Sequence, residues 1–320
     1  MSVSFIFNDA SIPFLSIENC KRYLPRFFSI LRKATQNEVQ IIRTRDSIGS
    51  NWYNVNYVDG FSLSQWIEQL HDIEYKRFIR GLMDRTKSPL VRIDEIEVLR
   101  KIEESEFVLP NDKEKAVYAL GVAFLLEAPA VSCYSMNIWY ENTIGIIHNQ
   151  FDEKDNEVKK DCVVQNISQI EHIDSFLEAL KKERQDSLNY LKGLKISGNP
   201  DFENLIFCQS VLRSFKSIGI NKTLLKKLKV VLGTLNNLIK TKESESSIID
   251  RSGLDISGES DTTKNNRKLS RHRVFRLPNG DSKMFDLHVK NFPDQRLYFL
   301  PDFESKKIYI GYFGKHLPLS

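Results

Sequence analysis

The last part of the chain gathers side chains that can act on a phosphodiester without a metal. In Phe285-Asp286-Leu287-His288-Val289-Lys290, strand alternation sends Phe285, Leu287 and Val289 to a core and Asp286, His288 and Lys290 to the opposite face. Arg296-Leu297-Tyr298-Phe299-Leu300 and Lys307-Ile308-Tyr309-Ile310-Gly311-Tyr312-Phe313 also mix core residues with cationic and phenolic ones, and His316 follows. Histidine and tyrosine can move protons, and arginine and lysine can stabilise charge on a phosphate, so such a face suits attack of a ribose 2′-hydroxyl on its neighbouring phosphate. The candidate catalytic residues are His288, Arg296, Tyr298 and His316, with either histidine as general base or acid. Arg271, Arg273, Arg276, Lys290, Lys307 and Lys315 are the candidate contacts to nucleic acid, RNA ahead of DNA, because unpaired bases can stack on such a sheet. No metal and no cofactor is expected.

The charge distribution points to the same region. The 320 residues hold 46 Lys plus Arg and 42 Asp plus Glu, a net of +4, yet residues 264–320 alone carry +7 and the remainder −3. Half of the six histidines fall in this tail. A basic module on a mildly acidic body suits a polyanion, since phosphate neutralisation releases condensed counterions; it equally suits a solvated basic surface.

Other chemistries find little support. Walker, GxGxxG, HExxH, GxSxG and EF-hand patterns are all missing from the sequence. Cys20, Cys133, Cys162 and Cys208 lie far apart, without CxxC or Cys/His spacing, and read as reduced structural thiols. Glu171-His172 is a weak acid/base pair, better read as surface, and the acidic run Asp94, Glu95, Glu97, Glu103, Glu104 and Glu106 reads as the outer face of a charged helix ahead of a metal site. No apolar run approaches the ~20 residues that span a bilayer, so the expectation is a cytoplasmic protein with no membrane partner.

The elements that must position these residues suggest an α+β fold: a mixed α/β body over 1–172, a helical segment over 173–240, a flexible linker or long loop over 241–266, and a small twisted antiparallel sheet over 267–320 packed on the helices. In the body, helices are expected from Ser16 and over Ser62–Met83 and Lys113–Leu126, with Gly121 at a close backbone approach; Val39–Arg43, Ala130–Ser135, Thr143–His148 and Asp161–Val164 read as strands. Residues 173–194, 202–215 and 224–239 show helical periodicity. Residues 241–266, rich in Ser, Thr, Asp, Glu and Gly, have too little apolar surface to offset their ordering entropy. In the tail, Val274–Arg276, Phe285–Val289, Arg296–Leu300 and Lys307–Phe313 read as strands, parted by turns at Pro278-Asn279-Gly280-Asp281, Pro293-Asp294 and Pro301-Asp302.

The strand RLYFLPD, a short turn and KIYIGYFGKHL resemble the last strands of the RelE/HigB/ParE toxin family. That resemblance implies a helical hairpin before a small sheet whose basic and aromatic side chains cleave messenger RNA, or in the ParE branch a protein that poisons DNA gyrase. By position it aligns the family's strand arginine with Arg296 and its C-terminal basic or aromatic residue with Lys315 or His316. In the body, Leu120-Gly121-Val122-Ala123, Val131-Ser132, Trp139 and Val164-x-Asn166-x-Ser168 look similar to uncharacterised bacterial phage-defence proteins. Together these imply a toxin-like or phage-defence effector, a metal-independent endoribonuclease with a protein partner or antitoxin. The alternative is a non-enzymatic nucleic-acid- or protein-binding component of a multi-protein defence complex.

Overall fold

The structure is a computed structural model, and it describes residues 3–37, 39–48, 52–82, 85–93, 95–151, 156–218, 220, 222–241, 244–292 and 295–318. Met83, Asp94 and the Pro293-Asp294 turn lie outside the described residues. The fold is α+β, as expected. Two compact units divide between Ala179 and Leu180, inside a helix and not at residue 172.

The first unit runs β1 (Val3–Phe7), α1 (Ile17–Gln36), β2 (Val39–Arg43), β3 (Asn56–Val58), β4 (Phe61–Ser62), α2 (Leu63–Glu68), α3 (Ile73–Gly81), β5 (Thr86–Lys87), α4 (Ile96–Glu103), β6 (Ser105–Leu109), β7 (Asp112–Ala116), α5 (Tyr118–Leu125), β8 (Ala130–Val131), β9 (Thr143–Phe151) and β10 (Glu157–Ile167), and α6 (Ile170–Gly193) crosses into the second. The eight-stranded sheet is ordered β5-β2-β1-β8-β10-β9-β6-β7. Its first five strands are parallel and the rest antiparallel. Alternation along β1 explains why both faces are covered. Phe7 packs against Phe27 of α1 and stacks on Trp52, while Ile6 joins Leu120, Val122, Ala130 and Val164 around α5.

Two expected helices are shorter in the structure. The pattern over Ser62–Met83 breaks because the Asp72 carboxylate accepts the Tyr75 amide and starts α3 afresh. Residues 112–116 pair with β6 as β7, and Val117 then donates its amide to the Phe107 carbonyl before α5 begins. Gly121 sits where a Cβ would strike the Phe107 ring, as the expected close approach requires.

The second unit continues with β11 (Leu205–Phe207), α7 (Gln209–Ser217), α8 (Lys222–Thr241), α9 (Glu245–Arg251), β12 (Ile256–Gly258), α10 (Asp261–Asn265), α11 (Arg267–Ser270), β13 (Val274–Arg276), β14 (Ser282–Met284), β15 (Leu287–Val289), β16 (Gln295–Asp302) and β17 (Lys307–Lys315). Its five-stranded sheet is ordered β11-β17-β16-β15-β12, with β11 parallel to β17 and the rest antiparallel. One face sets Leu287, Val289, Leu297, Phe299, Ile310 and Phe313 against α7 and α8.

The segment 241–266 differs from a linker: its described residues form α9, β12 and α10. Ser244 caps α9 through a reciprocal hydrogen-bond box, Ser260 caps α10, and β12 becomes the edge strand beside β15. Ile248, Ile256 and Thr263 are buried, so a few well-placed apolar contacts and local caps offset the ordering entropy that composition alone would leave unmet. Residues 202–215 likewise hold β11 as well as α7, so the middle of the chain is not all helical.

The second face of the C-terminal sheet is covered too. A bulge after Tyr298 pairs Tyr298 with Tyr312 but Phe299 with Ile310, leaving Gly311 as the extra residue and turning both Tyr309 and Tyr312 to this face. The hairpin β13–β14 lies over it, with Phe275 stacked on Tyr312 and edge-on to Phe285. A Cβ on Gly311 would stand 2.6 Å from Phe275 and 2.7 Å from Phe285. Gly311→Ala is expected to lower stability by about 1–3 kcal/mol through overpacking, seen as a lower urea midpoint at unchanged m-value; an unshifted midpoint would show that the hairpin yields freely.

Candidate functional site

In the C-terminal sheet Ser257, His288, Tyr298 and Tyr312 stand opposite one another across four strands and share the hairpin-covered face. Glu259, just past β12, reaches into this row. Its Oε1 lies 2.6 Å from Arg273 Nε, accepts the Tyr298 hydroxyl at 3.0 Å, and is 3.8 Å from His288 Nδ1. Glu259 and Arg273 are 7% and 0% exposed, so their charges meet where water screens them little. The Arg273 Nε–H is not aimed along that short contact, and the pair is held by charge more than by an aligned hydrogen bond. The other arm of Arg273 is aligned: Nη1 donates to the Leu269 carbonyl at 3.1 Å and the Pro318 carbonyl at 3.0 Å.

Local sequence sets both partners. Asn266 caps α11 by accepting the Lys268 and Leu269 amides, and the following 3₁₀ turn over 271–273 brings Arg273 back beneath the sheet. The Glu259 amide donates to the Asp286 carbonyl at 2.9 Å, extending the β12–β15 pairing by one bond and fixing where the carboxylate enters.

The site remains rich in unmatched polarity. Ser257 Oγ, Arg273 Nη2, His288 Nδ1 and Arg296 Nε are all buried without a hydrogen-bond partner. Burial pushes the His288 imidazole down to about 4; Glu259 pulls the other way, while His316, Lys290 and Arg296 push it lower still. Burial, then Glu259, holds the Tyr298 phenol well above its usual range. Both groups are therefore neutral near pH 7.

The sheet brings several of the sequence candidates to one end. Lys290 follows β15, Arg296 stands opposite Gly314, Lys315 stands opposite Gln295, and the His316 ring lies 5.9 Å from the His288 ring. Arg296 is half-buried, with Nη1 on the Phe292 and Gln295 carbonyls, and Lys315 is exposed. His316 is half-buried and its Nδ1 meets the Leu317 carbonyl at 2.7 Å. A carbonyl only accepts, so that contact places a proton on Nδ1.

Other candidates stand elsewhere. His288 and Tyr298 are 4% and 0% exposed, behind the hairpin and not on an open face. Arg273 is wholly buried, and its guanidinium is engaged by Glu259 and two carbonyls, so a phosphate cannot reach it. Lys307 begins β17 and donates to the Glu203 carbonyl; eight residues of strand, about 26 Å, separate it from Lys315. Arg271 and Arg276 are exposed on the covering segment, Arg276 with Nε on the Gly280 carbonyl. Glu259 went unnoticed in the sequence because it sits in the polar run Ser257-Gly258-Glu259-Ser260, where nothing marks it from its neighbours.

The weaker candidates resolve into structural roles. His172 Nδ1 accepts the Ser168 amide at 3.4 Å at the start of α6, and Glu171 is exposed. Cys133 is buried, which drives its thiol far from the reactive thiolate. Glu95 pairs with Arg43 at 2.7 Å, while Glu97, Glu103, Glu104 and Glu106 are exposed. Among the described residues, no three His, Cys, Asp or Glu side chains converge to hold a metal ion, and no helix is long and apolar enough to cross a membrane. Three of the body residues singled out in the sequence, Ser132, Trp139 and Asn166, join one buried chain: Asn8 donates to Ser132 Oγ, Ser132 donates to Asn166 Oδ1, and Asn166 donates to the Trp139 and Glu141 carbonyls.

Comparison with protein-family models, with curated proteins and with solved structures gave no match.

Because the folded pKa of His288 is depressed to about 4, the unfolded chain binds a proton there below its ordinary ~6.5 while the folded chain does not. Stability should fall by roughly 3 kcal/mol as the pH drops from 6.5 to 4, and this component is absent at pH 7 and above. His288→Phe keeps a ring and cannot titrate. Urea unfolding at pH 7 and pH 4.5 should show a smaller acid loss in this variant; equal losses would contradict the buried neutral imidazole.

Proposed function

We propose that the chain is a nucleic-acid-directed effector whose C-terminal sheet cleaves RNA without a metal, in the manner of the toxin family its last strands resemble. The observation that carries this reading is the gathering of Lys290, Arg296 and His316 around the His288 ring at one end of the sheet, with the His316 Nδ1 proton engaged by the Leu317 carbonyl. In this reading Arg296 and Lys290 hold a phosphate, and Lys315, exposed on the opposite phase of β17, follows the backbone further along. His316 Nε2 takes the proton from a ribose 2′-hydroxyl, the 2′-oxygen bonds to phosphorus, and the bond to the 5′-oxygen breaks. The products are a 2′,3′-cyclic phosphate and a 5′-oxygen protonated by solvent. His288 and Tyr298 lie behind this surface and are assigned to positioning, with Glu259 and Arg273.

A second reading has its own support. His316 is half-exposed where His288 and Tyr298 are buried, and an imidazole among cations also suits a surface that binds RNA, DNA or an acidic partner without turnover. This is the non-enzymatic component of a multi-protein assembly. For the body unit, a sensing or restraining role remains part of the same proposal.

The purified 320-residue chain with a labelled single-stranded RNA separates the two. The enzymatic reading expects cleavage in EDTA, cyclic-phosphate ends, and a loss of about 10²- to 10⁴-fold on His316→Ala, while Arg296→Ala weakens both binding and rate. Binding with intact RNA would sink the enzymatic reading in favour of the second; cleavage abolished by EDTA would contradict the mechanism.

A further inference from the structure

The carboxyl edge of the parallel strands in the first unit carries an aromatic group that the C-terminal site does not use. Tyr23 lies on the second turn of α1, Tyr134 three residues beyond β8, and Tyr140 on a 3₁₀ turn over 137–140. The Tyr134 ring centroid is 4.6 Å from that of Tyr23 and 4.8 Å from that of Tyr140. Tyr140 is 39% exposed, and the other two rings are half-buried. The guanidinium groups of Arg22 and Arg26, both exposed residues, lie 5.3 and 5.8 Å from the Tyr23 centroid.

The rings are fixed from behind. Buried Trp139 anchors the turn, and the Tyr140 carbonyl accepts from Ser168 Oγ at 3.1 Å and Gln169 Nε2 at 3.2 Å. Cys133, beside Tyr134, donates its amide to buried Ser11 Oγ at 2.9 Å. Three tyrosines are thus presented rigidly with part of their area in solvent, which little in the packing of the core requires.

Their place in the topology adds an independent argument. From β1 the parallel order runs outward to β2 and β5 on one side and to β8 and β10 on the other, so the strand order reverses between β1 and β8. Ligands of open parallel sheets gather outside the carboxyl ends at such a reversal. The loops that leave β1 and β8 there lead to α1, which bears Tyr23, and to Tyr134. Partly exposed aromatic rings, with guanidinium groups over that of Tyr23, match unpaired bases and their phosphates, whereas a duplex hides its base faces. Lys21 turns its Nζ to the Phe61 ring instead, and exposed Glu18 and Glu141 offset part of the charge of Arg22 and Arg26, so stacking leads over electrostatics.

We propose that Tyr23, Tyr134 and Tyr140, with Arg22 and Arg26, form a stacking platform for unpaired nucleotides of a single-stranded nucleic acid. It does not depend on the reading of the C-terminal sheet.

The test uses the full chain carrying Lys290→Gln, Arg296→Gln and Lys315→Gln, so that the basic end of the C-terminal sheet is removed, and a fluorescein-labelled mixed-sequence 12-nucleotide RNA followed by anisotropy. The parent should bind, and Tyr134→Leu with Tyr140→Leu should weaken binding about 5- to 150-fold. Tyr134→Phe with Tyr140→Phe, which keeps the stacking faces, should bind like the parent. Arg22→Gln with Arg26→Gln, both at exposed positions that leave the fold intact, should weaken binding and remove a salt slope of about 1.4, two phosphates on a single strand. A parent that does not bind, leucine or glutamine pairs that bind like it, a phenylalanine pair as weak as the leucine pair, or a duplex bound as tightly as the single strand would each overturn the proposal.

Discussion

A carboxylate buried under the C-terminal sheet constrains everything around it. Glu259 enters at 7% exposure, and an ion that deep is tolerated only when a partner and hydrogen bonds replace the lost water. Arg273 supplies the charge, and Tyr298 supplies the hydrogen bond. Arg273 must then be carried under the sheet, which is the task of α11 and the 3₁₀ turn, and its free arm fastens the chain at Leu269 and Pro318. The edge strand, the covering segment and the last residues are thereby tied to one point.

This arrangement changes what the face of the sheet can do. An open sheet bearing His288 and Tyr298 would offer them to a substrate. The structure instead seals them behind Phe275, Leu277 and Phe285, and leaves the more accessible Lys290, Arg296 and His316 at the end of the sheet. His316 is held within this framework, two residues before the carbonyl that Arg273 grips. The buried residues thus set the position of the exposed ones.

Much of the scaffold was legible in the sequence. The periodicity of residues 224–239 marks α8, the alternation over 296–300 and 307–313 marks β16 and β17, and Gly121 marks a real close approach. The failures share a cause. Residues 241–266 look like a linker because composition counts apolar surface and misses the serine caps and the few buried side chains that suffice when a sheet edge lies alongside. The bulge at Gly311 could not be placed from alternation, because it depends on rings of a hairpin 26 and 36 residues away, Phe285 and Phe275. Arg273 reads as one more cation in a basic run, and only its distant partner Glu259 turns it into a core residue.

The pairing of Glu259 with Arg273 is best tested by a double-mutant cycle with Glu259→Gln and Arg273→Met, each variant and the double variant unfolded in urea at pH 7. If the pair organises this unit, each single change leaves a buried charge unmatched and is costly, and the double variant recovers part of that loss, giving a coupling energy of about 1–3 kcal/mol. Additive effects, with a coupling indistinguishable from zero, would show that the carboxylate and guanidinium are held independently and that the sheet end does not depend on their meeting.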